Sequence, residues 1–319
     1  MRQIAGRLSL LAGALLLAGC DMPVATDVAP ERVAARPAAR PAPQVQAEPS
    51  EASQTLARYY ERLEADLLSK GLLRTDGGGR DTPFAVHDLV RNFELIAFFD
   101  EYERGAGLKP SWGKPVPLRR WAKPVGVTVE FGSTVPPAQR AADLQDIGAY
   151  ASRLTRITGH PVRMDAAQPN MHILIFGEDD RALLPQRARQ IVPGMSAAAM
   201  SIFRTMPRNI HCFVMAFSGG GGDPYTYRQA IVVIRAEHPD LLRQSCIHEE
   251  MAQGLGLAND TPRARPSIFN DDDEFALLTN HDELLLRMLY DPRLIPGMTL
   301  EEARPIIRQI AEELMRGGT

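Results

Sequence analysis

The stretch Ser245–Asp260, SCIHEEMAQGLGLAND, constrains this chain more than any other. Pro239 and Asp240 make a good helix start, since proline fits the first helical position and an acid suits the positive helix end. From there LLRQSCIHEEMAQ runs without a breaker to Gly254 and Gly256, which suit a left-handed exit. On such a helix Glu249 and Gln253, four apart, share a face, and Glu250 lies about 100° further round. Two adjacent carboxylates and an amide one turn on are out of place in a segment rich in Leu, Ile, Met and Ala. They are the candidate site. The bland alternative is that both acids are polar helix residues at a cleft, held by arginines.

A helix carrying His-Glu-x-x-His, followed by x-Leu-Gly-Leu and a third ligand, marks zincin peptidases, and this stretch resembles it. Aligned on Leu255-Gly256-Leu257, Glu249 stands at the first histidine, Glu250 at the general base, Gln253 at the second histidine and Asn259 at the third ligand. SIFND from Ser267 resembles the downstream Ser-Ile-Met turn, with Phe269 for methionine. EEMAQGLGLAND and MLYDPRLIPGM, over roughly residues 120 to 300, also resemble a bacterial envelope family, domain-of-unknown-function family 2927. The resemblance implies a fold more than an activity.

The departure from the peptidase pattern carries chemical consequences. Zinc prefers imidazole and thiolate, with three protein ligands and an open position in a catalytic site. Glu249, Gln253 and Asn259 as metal ligands form an oxygen-only set with two neutral amides, suited to a harder divalent ion or to no metal. Reading His248-Glu249 as the motif start fails, because Ala252 then occupies the second ligand position. His281 is the other histidine close downstream, an alternative ligand or a helix-start residue. Asp271, Asp272 and Asp273 lack the spacing of a calcium loop and read as a solvated run before a helix. Two function classes follow. One is a non-catalytic protein that binds a peptide or envelope component beside the helix; the other is a divergent hydrolase with Glu250, assisted by Glu249, as general base.

Met1–Cys20 reads as a targeting segment: Arg2 and Arg7, the apolar run LSLLAGALLLAG, then Leu17-Ala18-Gly19-Cys20. The run is short for a spanning helix. It resembles a bacterial lipoprotein signal, residues 1–19, cleaved to leave Cys20 acylated and the lipid bilayer as a partner. Asp21 resembles the signal for inner-membrane retention, so the expected location is the cell envelope, facing the periplasm. Residues 20–50 are an Ala/Pro-rich tether of extended character.

The net charge of −3 is mixed in sign and gives no reason to expect nucleic-acid binding. Cys212 and Cys246 remain beside the lipidated cysteine, and an oxidising compartment makes a disulfide between them the default.

Two amphipathic helices are expected within residues 51–108, a helical extension packing on the domain at 109–319. Lys109–Pro124 is a proline-punctuated loop holding Trp112 and Trp121. Beyond it, strand-like VGVTVEF, a long helix, two short strands, a broken helix and the strand pair CFVMAFS and RQAIVVIRAE precede the site helix. This segregation predicts an α+β fold, zincin-like under the resemblance, with the site helix on a mixed sheet and a helical C-terminal part. The glycines at 219–222 turn a hairpin rather than bind nucleotide. Under the resemblance the strand Arg228–Ala236 is an edge able to align an extended peptide. Thr279-x-x-Asp282 and Thr299-x-x-Glu302 read as capping boxes.

Overall fold

The computed structural model describes residues 47–102, 111, 113–219, 223–270 and 272–317. The expected signal peptide, Cys20, most of the expected tether, Trp112, Asp271 and three of the four clustered glycines lie outside them. Hydrophobic runs of β-branched residues set the centre of the fold. β2 (Val125–Phe131), β4 (Met171–Phe176) and β6 (Thr226–Arg235) pair in parallel in the order β2-β4-β6. Their apolar character comes from burial on both faces, as for any parallel sheet covered by helices. The period of two sorts them. Ile173, Ile175, Val232 and Ile234 enter the main core, while Leu174, Ile231 and Val233 enter a second cluster on the other face.

Two edges complete a six-stranded mixed sheet. β3 (Val162–Met164) pairs with β2 in parallel, after a crossover through α3 (Pro137–Thr158), which starts on proline and stops at Gly159 in the left-handed region. On the opposite side β5 (Cys212–Ser218) runs antiparallel to β6, from Cys212↔Ile234 to Ser218↔Tyr227. The expected strand pair forms, but the edge assignment needs correction. β6 is interior, flanked by β4 and β5, and β5 is the edge strand. The two-residue β1 (Arg120–Trp121) pairs with the start of β6.

Helices cover both faces, giving the α+β class expected. α4 (Leu184–Ile191) and α5 (Ala197–Thr205) bury Leu184, Ala188, Met200 and Phe203 against the second face. α6 (Asp240–Leu255), the site helix, lays Cys246, Ile247 and Met251 on the main core. α7 (Asn280–Leu289) and α8 (Leu300–Gly317) close that core from below. Thr279 caps α7 with Asp282, at 2.8 Å between side chains, and Thr299 bonds Glu302 at 2.7 Å before α8. No helix among the described residues is long and apolar enough to cross a membrane.

Residues 51–108 and 109–319 fall within one compact unit, Val45–Thr319. α2 (Val86–Ala97) places Leu89, Phe93 and Ile96 in the main core. α1 (Glu51–Ser69) holds the N-terminus of α6, where Pro239 offers no side-chain cap: Glu64 accepts a hydrogen bond from the Leu242 amide at 3.0 Å.

α6 is fixed at three levels. At its start Arg243 is buried; it donates to Asp143 of α3 at 2.6 Å, to the His238 carbonyl at 2.6 Å and to Asp240 at 2.7 Å. In its middle, the Cys212–Cys246 disulfide ties it to β5 with a Cα–Cα distance of 5.9 Å. Closing a 34-residue separation contributes about 4 kcal/mol in the chain-entropy account. At its end, the Trp121 indole donates to the Gly254 carbonyl at 2.8 Å and the Tyr290 hydroxyl to the Leu255 carbonyl at 3.0 Å. The two glycines there do different jobs. Gly256 leaves the helix at φ +131, and a Cβ on it would sit 2.4 Å from the Arg119 carbonyl oxygen. Gly254 stays helical and lets Met171 and Val214 approach, at 3.0 and 3.3 Å from where its Cβ would be.

Removing one partner of a buried ion pair strands the other, at about 3–5 kcal/mol. Arg243→Ala is therefore expected to lower unfolding free energy by that amount in denaturant titration. A loss below about 1 kcal/mol would show that this anchor does not hold α6.

Candidate functional site

One large cleft, about 870 Å³, opens along β5 and over α6. Its length is set by the strand, since every residue from Asn209 to Gly219 lines it. Among the described residues β5 pairs only with β6, so its other edge faces this space. The floor comes from α6 through Ser245, Glu249, Glu250 and Gln253. Ser267, Ile268 and Asn270 of the SIFND loop form a further wall. That loop is held by Asp282, which accepts from the Ser267 hydroxyl at 2.6 Å and the Ile268 amide at 3.0 Å. Phe269 points the other way and is fully buried in the main core.

The helix period brings the two acids together with the disulfide. A carboxylate oxygen of Glu249, one of Glu250 and the Sγ of Cys212 lie within 4.8 Å of one another. Glu250 is only 4% exposed, and its Oε2 is buried with no hydrogen-bond partner among the described residues. Burial pushes its carboxyl well above the ordinary range, and the nearby charges of Asp260 and Glu101 push it the same way. Gln253, 8% exposed, donates its amide to both oxygens of Asp260, at 3.0 and 3.2 Å. Among the described residues no arginine pairs with Glu250, so the reading of both acids as arginine-held helix polars does not apply to it there.

Three candidates fall elsewhere. Asn259 turns away and donates to the Leu95 carbonyl of α2 at 2.9 Å; it does not line the cleft, and its neighbour Asp260 does. His248 sits across the helix, stacked on Tyr150 at 3.9 Å and accepting from the Leu278 amide. Burial lowers its pKa to about 3, so it is a neutral packing residue. His281 is fully buried between α2 and α7, bonded to Asn92 at 3.1 Å and edge-on to Phe84. Trp121 likewise anchors against the core instead of lining the cleft.

Reading one segment at a time missed what the fold assembles. Asp100, Glu101 and Arg119 arrive from the chain around α2 and β1, and Asp272 and Asp273 from the loop before α7. Arg119 pairs with Asp100. Asp260 alone carried a local signal, standing beside Asn259 in the LGLAND run.

A zincin-type zinc centre does not fit these donors. The Cys212 sulfur is in a disulfide, the Gln253 amide donates to Asp260, and Asn259 is engaged by α2. Among the described residues the group of possible ligand atoms at Glu249 and Glu250 then offers only carboxylate oxygen, not the imidazole or thiolate that zinc prefers.

The family model described as "Protein of unknown function (DUF2927)" matches residues 86–309. The chain belongs to this family. The DUF2927 match begins at the first residue of α2 and ends within α8, so it contains the whole sheet, α6 and the cleft. It also contains both recurring stretches, EEMAQGLGLAND and MLYDPRLIPGM, which meet where Tyr290 of the second caps the helix of the first. α1 lies outside the match, though it caps α6. No curated protein and no solved structure matches the chain.

Leaving the Glu250 oxygen unpaired should cost stability. The folded state holds this proton more tightly than the unfolded chain, whose glutamate titrates near about 4.3. Stability therefore falls as pH rises above that value towards the raised folded-state midpoint. Glu250→Gln removes the slope and is expected to stabilise the protein at pH 7 by about 1–3 kcal/mol, the usual cost of an unsatisfied buried group. The gain should shrink towards pH 4. Chemical denaturation across that range checks it, and a variant less stable at every pH contradicts it.

Proposed function

We propose that this is a membrane-anchored envelope lipoprotein whose cleft binds an extended peptide segment without efficient catalysis. The observation that carries the reading is the free edge of β5, a full strand of main-chain donors and acceptors lining a cleft above α6. An extended segment placed there completes the sheet, its backbone supplying affinity and the flanking pockets selectivity. Apolar groups from Val214, Ile268 and Phe275 give the space side-chain contact area. The poor fit to zinc argues against a zincin mechanism.

A hydrolytic reading has one observation in its favour. Glu250 is a buried acid with its pKa raised, the condition of a carboxyl that holds or takes a proton near neutral pH. In that reading Glu250 is the general base and Glu249 its neighbour.

The test uses two β-prone peptides differing only in backbone N-methylation. The parent peptide is expected to bind the full-length protein in detergent, and the N-methylated one to lose at least tenfold in affinity. Equal binding would contradict strand addition. Cleavage of the parent, abolished in Glu250→Gln, would favour the hydrolase instead.

Anchoring rests on the sequence of residues 1–20. Fatty-acid labelling of cells expressing the full chain is expected to acylate the protein and to fail in Cys20→Ser, which should leave the membrane fraction. Unlabelled wild type contradicts the anchor.

A further inference from the structure

The cleft is charged in one sense. Among the described residues seven carboxylic residues line it against one guanidinium, Arg119, which is engaged by Asp100. The remaining acids come from three separate parts of the chain: Glu101 after α2, Glu249, Glu250 and Asp260 around the end of α6, and Asp272 and Asp273 before α7. The one histidine lining it, His211, is held towards its neutral form by burial. Focusing of one sign in a concave, partly apolar space raises the local concentration of ligands of the opposite sign.

An acidic lining alone does not make a binding site, because surface carboxylates are well solvated. Glu250 is different. It is almost fully buried at the cleft floor, and one of its oxygens accepts no hydrogen bond among the described residues. Buried polar atoms in folded proteins are nearly always paired, and the exceptions ask for a missing partner. Among the described residues no donor satisfies this oxygen.

Resting on the peptide reading above, we infer that the floor of the cleft takes a cationic side chain of the bound segment, an alkylammonium or guanidinium that donates to Glu250 beside Glu249 and Asp260. The walls fit such a group along its length. Val214, Ile268 and Phe275 offer apolar surface to an aliphatic stem, and the acids lie at the floor. A stem against apolar groups with its charged head on carboxylates is how lysine and arginine side chains bury themselves. A charge-assisted hydrogen bond to an otherwise unpaired carboxylate is among the stronger polar contacts available. A hard metal ion fits less well. Calcium needs six to eight oxygens at close range. Here the group of potential ligand atoms within 4.8 Å comprises two carboxylates and a disulfide sulfur, while Asp260 is braced by Gln253.

The experiment compares three labelled pentapeptides, Thr-Val-X-Val-Thr, with X as lysine, arginine or norleucine, by fluorescence anisotropy on the full-length protein in detergent. Lysine or arginine is expected to bind at least tenfold tighter than norleucine at low salt. The preference should narrow as salt rises and collapse in Glu250→Gln and, independently, in Asp260→Asn. Equal binding of all three would overturn the inference and leave strand addition standing. Binding of none would overturn both. Calcium or manganese alone binding at one equivalent, lost in Glu250→Gln, would also overturn it by giving the carboxylate to a metal. Because the main comparison varies only the ligand, it holds even if a variant folds poorly.

Discussion

A buried carboxyl with one oxygen unbonded raises the free energy of the folded state, and the rest of this structure is what lets Glu250 stay there. Water would solvate that oxygen, or the helix would rotate to expose it, if α6 were free to move. It is not free. The Arg243–Asp143 pair holds its start, the disulfide holds its middle to β5, and Trp121 and Tyr290 bond its last carbonyls. Side chains at a functional site keep useful geometry when they rise from rigid elements whose supports are locked in turn. Of the buried side-chain atoms without a hydrogen-bond partner among the described residues, those of Glu250 and Arg119 belong to residues that line the cleft, where a group retained for binding at a cost in stability is expected.

The same three anchors explain why the strand and the helix form one unit. Among the described residues β5 is the only antiparallel member of the sheet, and it would be a poorly supported edge without the disulfide and the Gly254 contact with Val214. Edge strands are hazards because they pair with whatever extended chain they meet. Here the exposed edge is sunk in a cleft with carboxylates beside it. In the proposed reading, strand addition and charge selection act on one ligand at one place.

Much of this was legible in the chain. CFVMAFS and RQAIVVIRAE announce β5 and β6 by their β-branched runs, Cys212 and Cys246 announce the staple, and the helix period of EEMAQ brings Glu249, Glu250 and Gln253 to one opening. What stayed hidden depends on distance in sequence. Which strand of the β5–β6 pair forms the edge is decided by β4, some forty residues earlier, and hydrophobic pattern alone does not rank them. Asn259 matches the position of a third ligand, but the turn at Gly256 swings it onto the Leu95 carbonyl and brings Asp260 round instead. Gly254 looks like a helix terminator and is a packing glycine, a difference visible only once Met171 lies against it. Glu101 has no local mark at all, and Asp272 stands in an acidic run that reads as solvated; only the fold carries them to the cleft.

The central claim is that Glu250 is held as an unpaired acid at the floor of an open cleft. Carbon NMR of its side-chain carboxyl, titrated with pH in the ligand-free protein, measures this most directly. The account requires a midpoint well above that of an ordinary glutamate, near about 4.3, and a fall in that midpoint when Asp260 is replaced by asparagine. A midpoint at or below the ordinary value would mean that the carboxylate already has its partner within the protein, and the account would not stand.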